Sequence, residues 1–195
     1  RPIDAEKLIT TADEMKASVS AVEQMIDFVR PMLRGRRLSR RRAKLSDFVR
    51  SFFELRGARL QTRGINWQFE EEGMRDFEIS FNPGRFTQVL DNLTTNSEYW
   101  IEHHYGATKK GRIFLEIRDP ELIVYDNGMG IRPDLEESLF ELFASGRDGD
   151  EGNGLGLFIT RQLLLRDNCT ISIDSARNEY KRLYRFIINF SGAKK

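Results

Sequence analysis

The chain has 195 residues, Lys+Arg 31 against Asp+Glu 30, a formal net charge of +1 and 39% hydrophobic residues. That length holds one full domain plus an appendage, and so even a charge balance names no polyanionic or acidic partner. One cysteine excludes an intrachain disulfide and a multi-cysteine zinc site, and the longest apolar runs fall far short of a membrane span. No signal-peptide pattern opens the chain, so a cytoplasmic domain without membrane contact is expected. The start at Arg1-Pro2 reads as a piece of something longer.

From Ala5 to Leu33 the apolar positions are Ala5, Leu8, Ala12, Met15, Val19, Val22, Ile26, Val29 and Leu33. This 3-4 alternation over four heptads predicts a helix with a seam for a partner helix. Pro2 and Asp4 mark its start, Pro31 and Gly35 its end, so residues 1–35 form one N-terminal unit. A homodimer through this seam explains the stripe; packing against the chain's own domain is the alternative. Arg34 to Lys44 then carries seven cations in eleven residues without an interleaved aromatic. Nucleic-acid binding is not expected from such a run, and residues 36–45 are assigned as a basic, solvated linker.

Residues 46–195 form the main domain. Phe48, Phe52, Leu55 and Leu60 predict a helix over 46–62, closed by Gly64. Ile65, Trp67, Phe69 and Phe77, Ile79, Phe81 alternate with polar residues as strands. Asn82-Pro83-Gly84 launches a second helix, on which Phe86, Val89, Leu90 and Leu93 share one face. Further strands follow at Ile113 to Ile117, Leu122 to Tyr125, Cys169 to Ile173 and Tyr184 to Phe190, with a helix over 157–166. Strands with one apolar and one polar face predict an α/β (α+β) two-layer sandwich, a mixed sheet with all helices on one face.

Three separated pieces stand out. They are Arg85 to Asn96 with Ser97-Glu-Tyr99-Trp100, Asp126-Asn-Gly128-Met-Gly130, and Gly152-Asn-Gly154-Leu155-Gly156. In this order and spacing they resemble the ATP-binding domain shared by sensor histidine kinases, gyrase-type topoisomerases, mismatch-repair ATPases and heat-shock chaperones, the GHKL superfamily. Sensor histidine kinases are the nearest branch. The resemblance covers roughly residues 45–190 and implies the Bergerat-type version of the sandwich. It also implies ATP and Mg²⁺ as cofactors, a receiver domain as downstream partner, and a dimerisation helix pair of which residues 1–35 look like the second member.

Asn92 and Asn96 lie one turn apart on the same helix face, at the border of the apolar stripe. An amide oxygen suits a magnesium ion that keeps waters and phosphate oxygens. The resemblance makes Asn96 the metal ligand and Asn92 its supporting, catalytic-site partner. It makes Asp126 the acceptor for the adenine amine, a group guanine lacks at that position. Gly128 and Gly130 leave room for base and sugar. Leu139 to Glu151 looks like the root of an ATP lid, anchored by Phe140 and Phe143, with Ser145 contributing to the site. Gly152, Gly154, Leu155 and Gly156 offer backbone N–H groups to phosphates at a helix start. Arg147 is either a cation for the terminal phosphate or a surface arginine.

Some positions depart from the family pattern. Tyr99, counted among the nucleotide-binding positions, stands where histidine kinases commonly carry lysine. Lys181-Arg-Leu-Tyr184 replaces the usual Gly-Thr before the last strand, and Asn92 replaces the catalytic glutamate of gyrase-type relatives. Asparagine cannot act as a general base, which favours phosphotransfer to a histidine outside this chain over vigorous hydrolysis. His103 and His104, past the main helix, read as loop residues rather than as that acceptor. A slow ATPase or nucleotide-gated switch is the alternative reading.

Overall fold

A computed structural model describes residues 39–106, 110–146 and 154–194, with scattered helical positions between Thr10 and Ile26. Strand β1 (Arg41–Lys44) leads directly into helix α1 (Leu45–Thr62). Strands β2 (Ile65–Arg75) and β3 (Glu78–Phe81) precede helix α2 (Pro83–Tyr105). Strands β4 (Gly111–Arg118) and β5 (Glu121–Asp126) form a hairpin. A short 3-10 turn, Pro133–Leu135, is followed by helix α3 (Gly156–Arg166) and strands β6 (Thr170–Ile173) and β7 (Arg185–Asn189).

The main sheet runs β2-β4-β5-β7-β6, with β2 and β4 parallel and the other pairs antiparallel. Ile65, Ile113, Leu115, Ile117, Leu122, Val124, Ile171 and Ile188 form its inner face and meet the apolar sides of all three helices in one core. The mixed, one-sided sandwich expected from strand alternation is therefore what forms. The outer face differs from a simple polar surface. Glu116 and Ile123 are 8% and 3% exposed there, because Arg185 donates to both Glu116 oxygens at 3.0 Å and lies 5.0 Å over the Tyr125 ring. Phe114 stacks on Tyr125 with centroids 4.9 Å apart.

The helix ends are held by specific groups. The Ser46 N–H and hydroxyl both donate to Asp76, at 3.1 and 2.7 Å, so a carboxylate from the β2–β3 turn caps α1 from outside. Asn82 accepts from Arg85 N at 3.0 Å, and Pro83 occupies the first helical turn of α2.

Two expectations are corrected. The basic run does not stay a linker through residue 45: Arg41–Lys44 pairs antiparallel with β3 in a separate two-stranded sheet, so β3 does not join the main one. The density of cations concealed this strand, since only Ala43 turns an apolar side inward. Arg40, in the same run, reaches the buried Asp167 after α3. Asp167 also receives Arg85 Nε and Nη2 at 2.9 and 2.6 Å and the Asn82 N–H at 3.4 Å. Phe143 does not anchor the loop after β5 but stands 63% exposed with φ 65°, whereas Phe140 packs on the core. At the N-terminus, Met15, Val19, Val22 and Ile26 are helical and at least half exposed, so their apolar seam is not covered by the domain. Pro31 and Gly35 lie outside the described residues. Among the described residues no helix is long and apolar enough to cross a membrane.

Removing the Asp167 carboxylate strands Arg85 beside a buried position, whereas Arg40 is 41% exposed and contributes through water-screened contact. Asp167→Ala should therefore destabilise the protein by about 3 kcal/mol. Arg40→Ala should cost under about 1 kcal/mol. Urea denaturation of both variants measures the difference, and equal losses would contradict this assignment.

Candidate functional site

A groove of about 290 Å³ opens between α2, the loop after β5, and the start of α3. Helix α2 contributes Asp91, Asn92, Thr95, Asn96 and Trp100; the strand end and its loop contribute Asp126, Gly130 and Ile131. Ser145, Gly154, Leu155 and Gly156 close the far side. The three separated sequence pieces thus converge on one cavity, because the buried stripe Phe86, Val89, Leu90, Leu93 turns the adjacent polar stripe of α2 towards it.

Asp126 ends β5 and lines this groove. Desolvation pushes its carboxyl above the ordinary aspartate range, opposed by hydrogen bonds from the Ser97 hydroxyl and the Gly128 N–H. The Gly128 N–H donates to Oδ1 at 2.9 Å. Ser97 is itself 4% exposed, a buried hydroxyl one residue beyond Asn96. On the opposite wall Asn92 Nδ2 donates to the Gly156 carbonyl at 3.1 Å and meets Thr160 Oγ1 at 3.2 Å. Asp91 pairs with Arg56 of α1, and burial raises its pKa against the opposing pull of Arg56 and Arg59.

The glycines divide by role. A Cβ on Gly156 would meet nothing within 4 Å, so this position is open towards the groove. At Gly154, with φ +60°, a Cβ would lie 2.4 Å from the Phe143 carbonyl carbon, so here glycine is required by the protein's own packing. Gly128 and Gly130 were expected to make room for base and sugar. Gly130 lines the groove, and a Cβ there would also meet Asn178 Nδ2 at 2.8 Å and Leu183 O at 2.9 Å; Gly128 lies against Asp126 and Trp100 rather than lining the cavity. Gly130 seats the β6–β7 connection, where Asn178 Nδ2 donates to Met129 O at 3.1 Å and Ile131 N donates to Leu183 O at 2.8 Å.

Tyr99 is not brought into the groove. Its ring runs along α2 to stack on His103, 5.6 Å away, and meets Trp100 edge-on at 5.0 Å. Trp100 takes the groove position instead. Arg147 and Gly152 lie outside the described residues. Sequence reasoning missed Trp100, Ser97, Thr160 and Tyr184. Trp100 was recoverable, being four residues beyond Asn96 on the same helix face; Tyr184 reaches the groove only through sheet pairing. His103 and His104 lie in the last turn of α2 rather than in a loop past it, and His104 bonds to the Tyr180 hydroxyl of the β6–β7 connection at 3.2 Å, outside the groove.

Residues 81–191 match the family model described as histidine kinase-, DNA gyrase B-, and HSP90-like ATPase. The sensor protein kinase PilS of Pseudomonas aeruginosa is 29% identical over 145 residues, 71% of this chain and 26% of that protein. The sensory histidine kinase/phosphatase NtrB of Rhodobacter capsulatus is 43% identical over 121 residues, 53% of this chain and 33% of that protein. The chain therefore spans about a quarter to a third of the length of these relatives. Among solved structures, the mycobacterial sensor histidine kinase MprB superposes with a TM-score of 0.62 at 19% identity, over 80% of this chain and 100% of that one. Full-length ShkA in complex with AMPPNP gives 0.64 at 22% identity, over 100% of this chain and 41% of that one. At these identities the structural likeness speaks for the fold.

The two glycines make a discriminating pair. Gly154→Ala should cost about 1–3 kcal/mol in thermal denaturation through strain and collision. Gly156→Ala should leave stability intact and weaken ATP binding measured by calorimetry. Because the folded pKa of Asp126 is raised, its contribution to the stability of nucleotide-free protein is full below about pH 4 and is lost as pH rises through the folded value. Asp126→Asn has no proton to lose and keeps an oxygen for the Gly128 N–H. Its stability relative to wild type should therefore rise with pH from about 4 upwards, and pH-independent urea midpoint differences would refute the assignment.

Proposed function

The chain belongs to the histidine kinase-, DNA gyrase B- and HSP90-like ATPase family, and from that premise we propose that it binds Mg-ATP and presents the γ-phosphate to a histidine outside this chain. The observation that carries this reading is the pairing of Asn92 and Asn96 on one wall of the groove with Asp126 on another. Asp126 would accept the adenine amine, held in place by Ser97 and the Gly128 N–H. Leu155 and Gly156, at the start of α3, would offer N–H groups to the phosphates, with Ser145 at the groove's far side. Gly152 and Arg147 are assigned to the same phosphate end on sequence alone.

The donor set fits magnesium. Asn92 and Asn96 line the groove with neutral amide oxygens, hard donors of the kind magnesium takes beside waters and phosphate oxygens. Asn96 would hold the ion, with Asn92 as its partner. The ion, when bound, would neutralise charge on the transferring phosphoryl group. The chain's own residues bind and orient: none of the groove's amides can deprotonate a water, and an imidazole nucleophile needs no such base. In the transfer the γ-phosphorus–oxygen bond breaks, a phosphorus–nitrogen bond forms, and the imidazole proton leaves to solvent.

The exposed seam Met15, Val19, Val22 and Ile26 supports a homodimer in which the acceptor histidine is supplied by a segment outside this chain. A receiver domain would then take the phosphoryl group, in the cytoplasm. A second reading, slow ATPase or nucleotide-gated switch without a phosphorelay, is favoured by Tyr99, at a position where histidine kinases commonly carry lysine, lying outside the groove.

Incubating the full-length protein with γ-labelled ATP separates the two readings. Acid-labile label on the protein is expected; free phosphate with unlabelled protein would establish the ATPase reading. Asn96→Ala should lower labelling by at least about a hundredfold, by loss of transition-state charge stabilisation.

A further inference from the structure

Thr160 sits in the first turns of α3, is 0% exposed, and does not itself line the groove. A hydroxyl buried that completely needs a partner, and its partner is a side chain of the site: Asn92 Nδ2 lies 3.2 Å from Thr160 Oγ1 and donates to Gly156 O at 3.1 Å. Gly156 and Thr160 are four residues apart, one turn of α3. The Asn92 amide nitrogen therefore bridges two acceptors stacked along one helix face.

This arrangement determines which way the amide faces. A carbonyl oxygen only accepts, so Gly156 O must meet the nitrogen and never the oxygen of Asn92. With the NH₂ end committed to α3, Oδ1 is left to the groove that Asn92 lines. One acceptor alone leaves the amide free to swing about its terminal torsion, which is broad and nearly two-fold. Two acceptors in line hold it.

We propose that Thr160 is a positioning residue: its hydroxyl, with the Gly156 carbonyl, locks the Asn92 side chain so that an amide oxygen is presented to the magnesium–phosphate end of the groove. The inference rests on the reading of Asn92 and Asn96 as the metal-side pair and adds to it the group that orients the first of them. It also explains why a threonine hydroxyl is kept in an interior otherwise built from Ile159, Leu163 and Leu164. Valine would fill the same volume but carry no acceptor. The backbone carbonyl of Gly156, shared with α3, cannot do the work alone because it bonds one hydrogen of the amide and leaves the second unheld.

The test is calorimetric titration of the chain with ATP, with and without magnesium, for wild type, Thr160→Val, Thr160→Ser, Asn92→Ala and the Asn92→Ala/Thr160→Val double variant. Thr160→Val should lower the magnesium-dependent gain in affinity roughly fivefold, the loss of one buried hydrogen bond, with magnesium-free binding unchanged. Thr160→Ser should restore it. In the Asn92→Ala background the valine substitution should have no further effect, since Thr160 acts only through that amide. An unchanged magnesium dependence in Thr160→Val overturns the proposal, as does an equal loss with and without magnesium, or an additive effect in the double variant. If Thr160→Val does not fold, failure of Thr160→Ser to keep the wild-type magnesium dependence supports a purely structural hydroxyl and overturns it as well. Wild-type binding that ignores magnesium altogether would instead remove the metal reading on which the inference stands.

Discussion

The carboxylate of Asp167 holds the two halves of the site in register. It is 4% exposed and takes three separate sources of hydrogen bonds: the guanidinium of Arg85, the guanidinium of Arg40 and the N–H of Asn82. Arg85 and Asn82 belong to the start of α2, and Asp167 caps the end of α3, so one buried charge ties the beginning of one helix to the end of the next. Such a pairing stabilises modestly in net terms, because desolvation offsets much of the attraction. Its consequence is geometric. With those ends pinned, Asn92 on α2 lies within hydrogen-bond reach of Gly156 and Thr160 on α3, and the groove between the helices has a defined width.

The same clamp brings in the segment before the domain. Arg40 lies within the basic run, among the first described residues of the main domain, and β1 pairs along β3 immediately afterwards. The described part of the run thus meets the domain at the joint between α2 and α3. The residues of this run are consequently not equivalent: Arg40 is engaged with a buried carboxylate, while Ala43 faces the core.

The far wall follows a different logic. Asp126 is kept at the end of β5 by Ser97 from α2 and by the turn N–H of Gly128, and the loop beyond is gripped by Asn178 and Leu183. This chain lacks the Gly-Thr pair common before the last strand in related domains, and Lys181 to Tyr184 occupies that place. Ser97 supplies a hydroxyl to Asp126 from the other side of the groove, and Tyr184 contributes lining rather than a hydrogen bond to the carboxylate. This end of the groove thus carries a fixed acceptor, held by one helix, the turn at Gly128 and the β6–β7 connection.

What was legible in the sequence is what repeats at short range. The 3.6-residue stripe of α2 and the two-residue alternation of the strands identified the one-sided sandwich, and the same periodicity placed Asn92 and Asn96 at the border of the core. Asp126 and the Gly154 to Gly156 turn were readable because strand end and helix start are local events. The strand at Arg41–Lys44 was not, since its partner lies in β3 and its own residues are nearly all charged. Nor were Ser97, Thr160 and Tyr184, whose roles arise only when α2, α3 and the β6–β7 connection are brought side by side. A helix periodicity tells which way a residue points; it carries no information about which side chain of another element it will meet, and that was decided by the packed core.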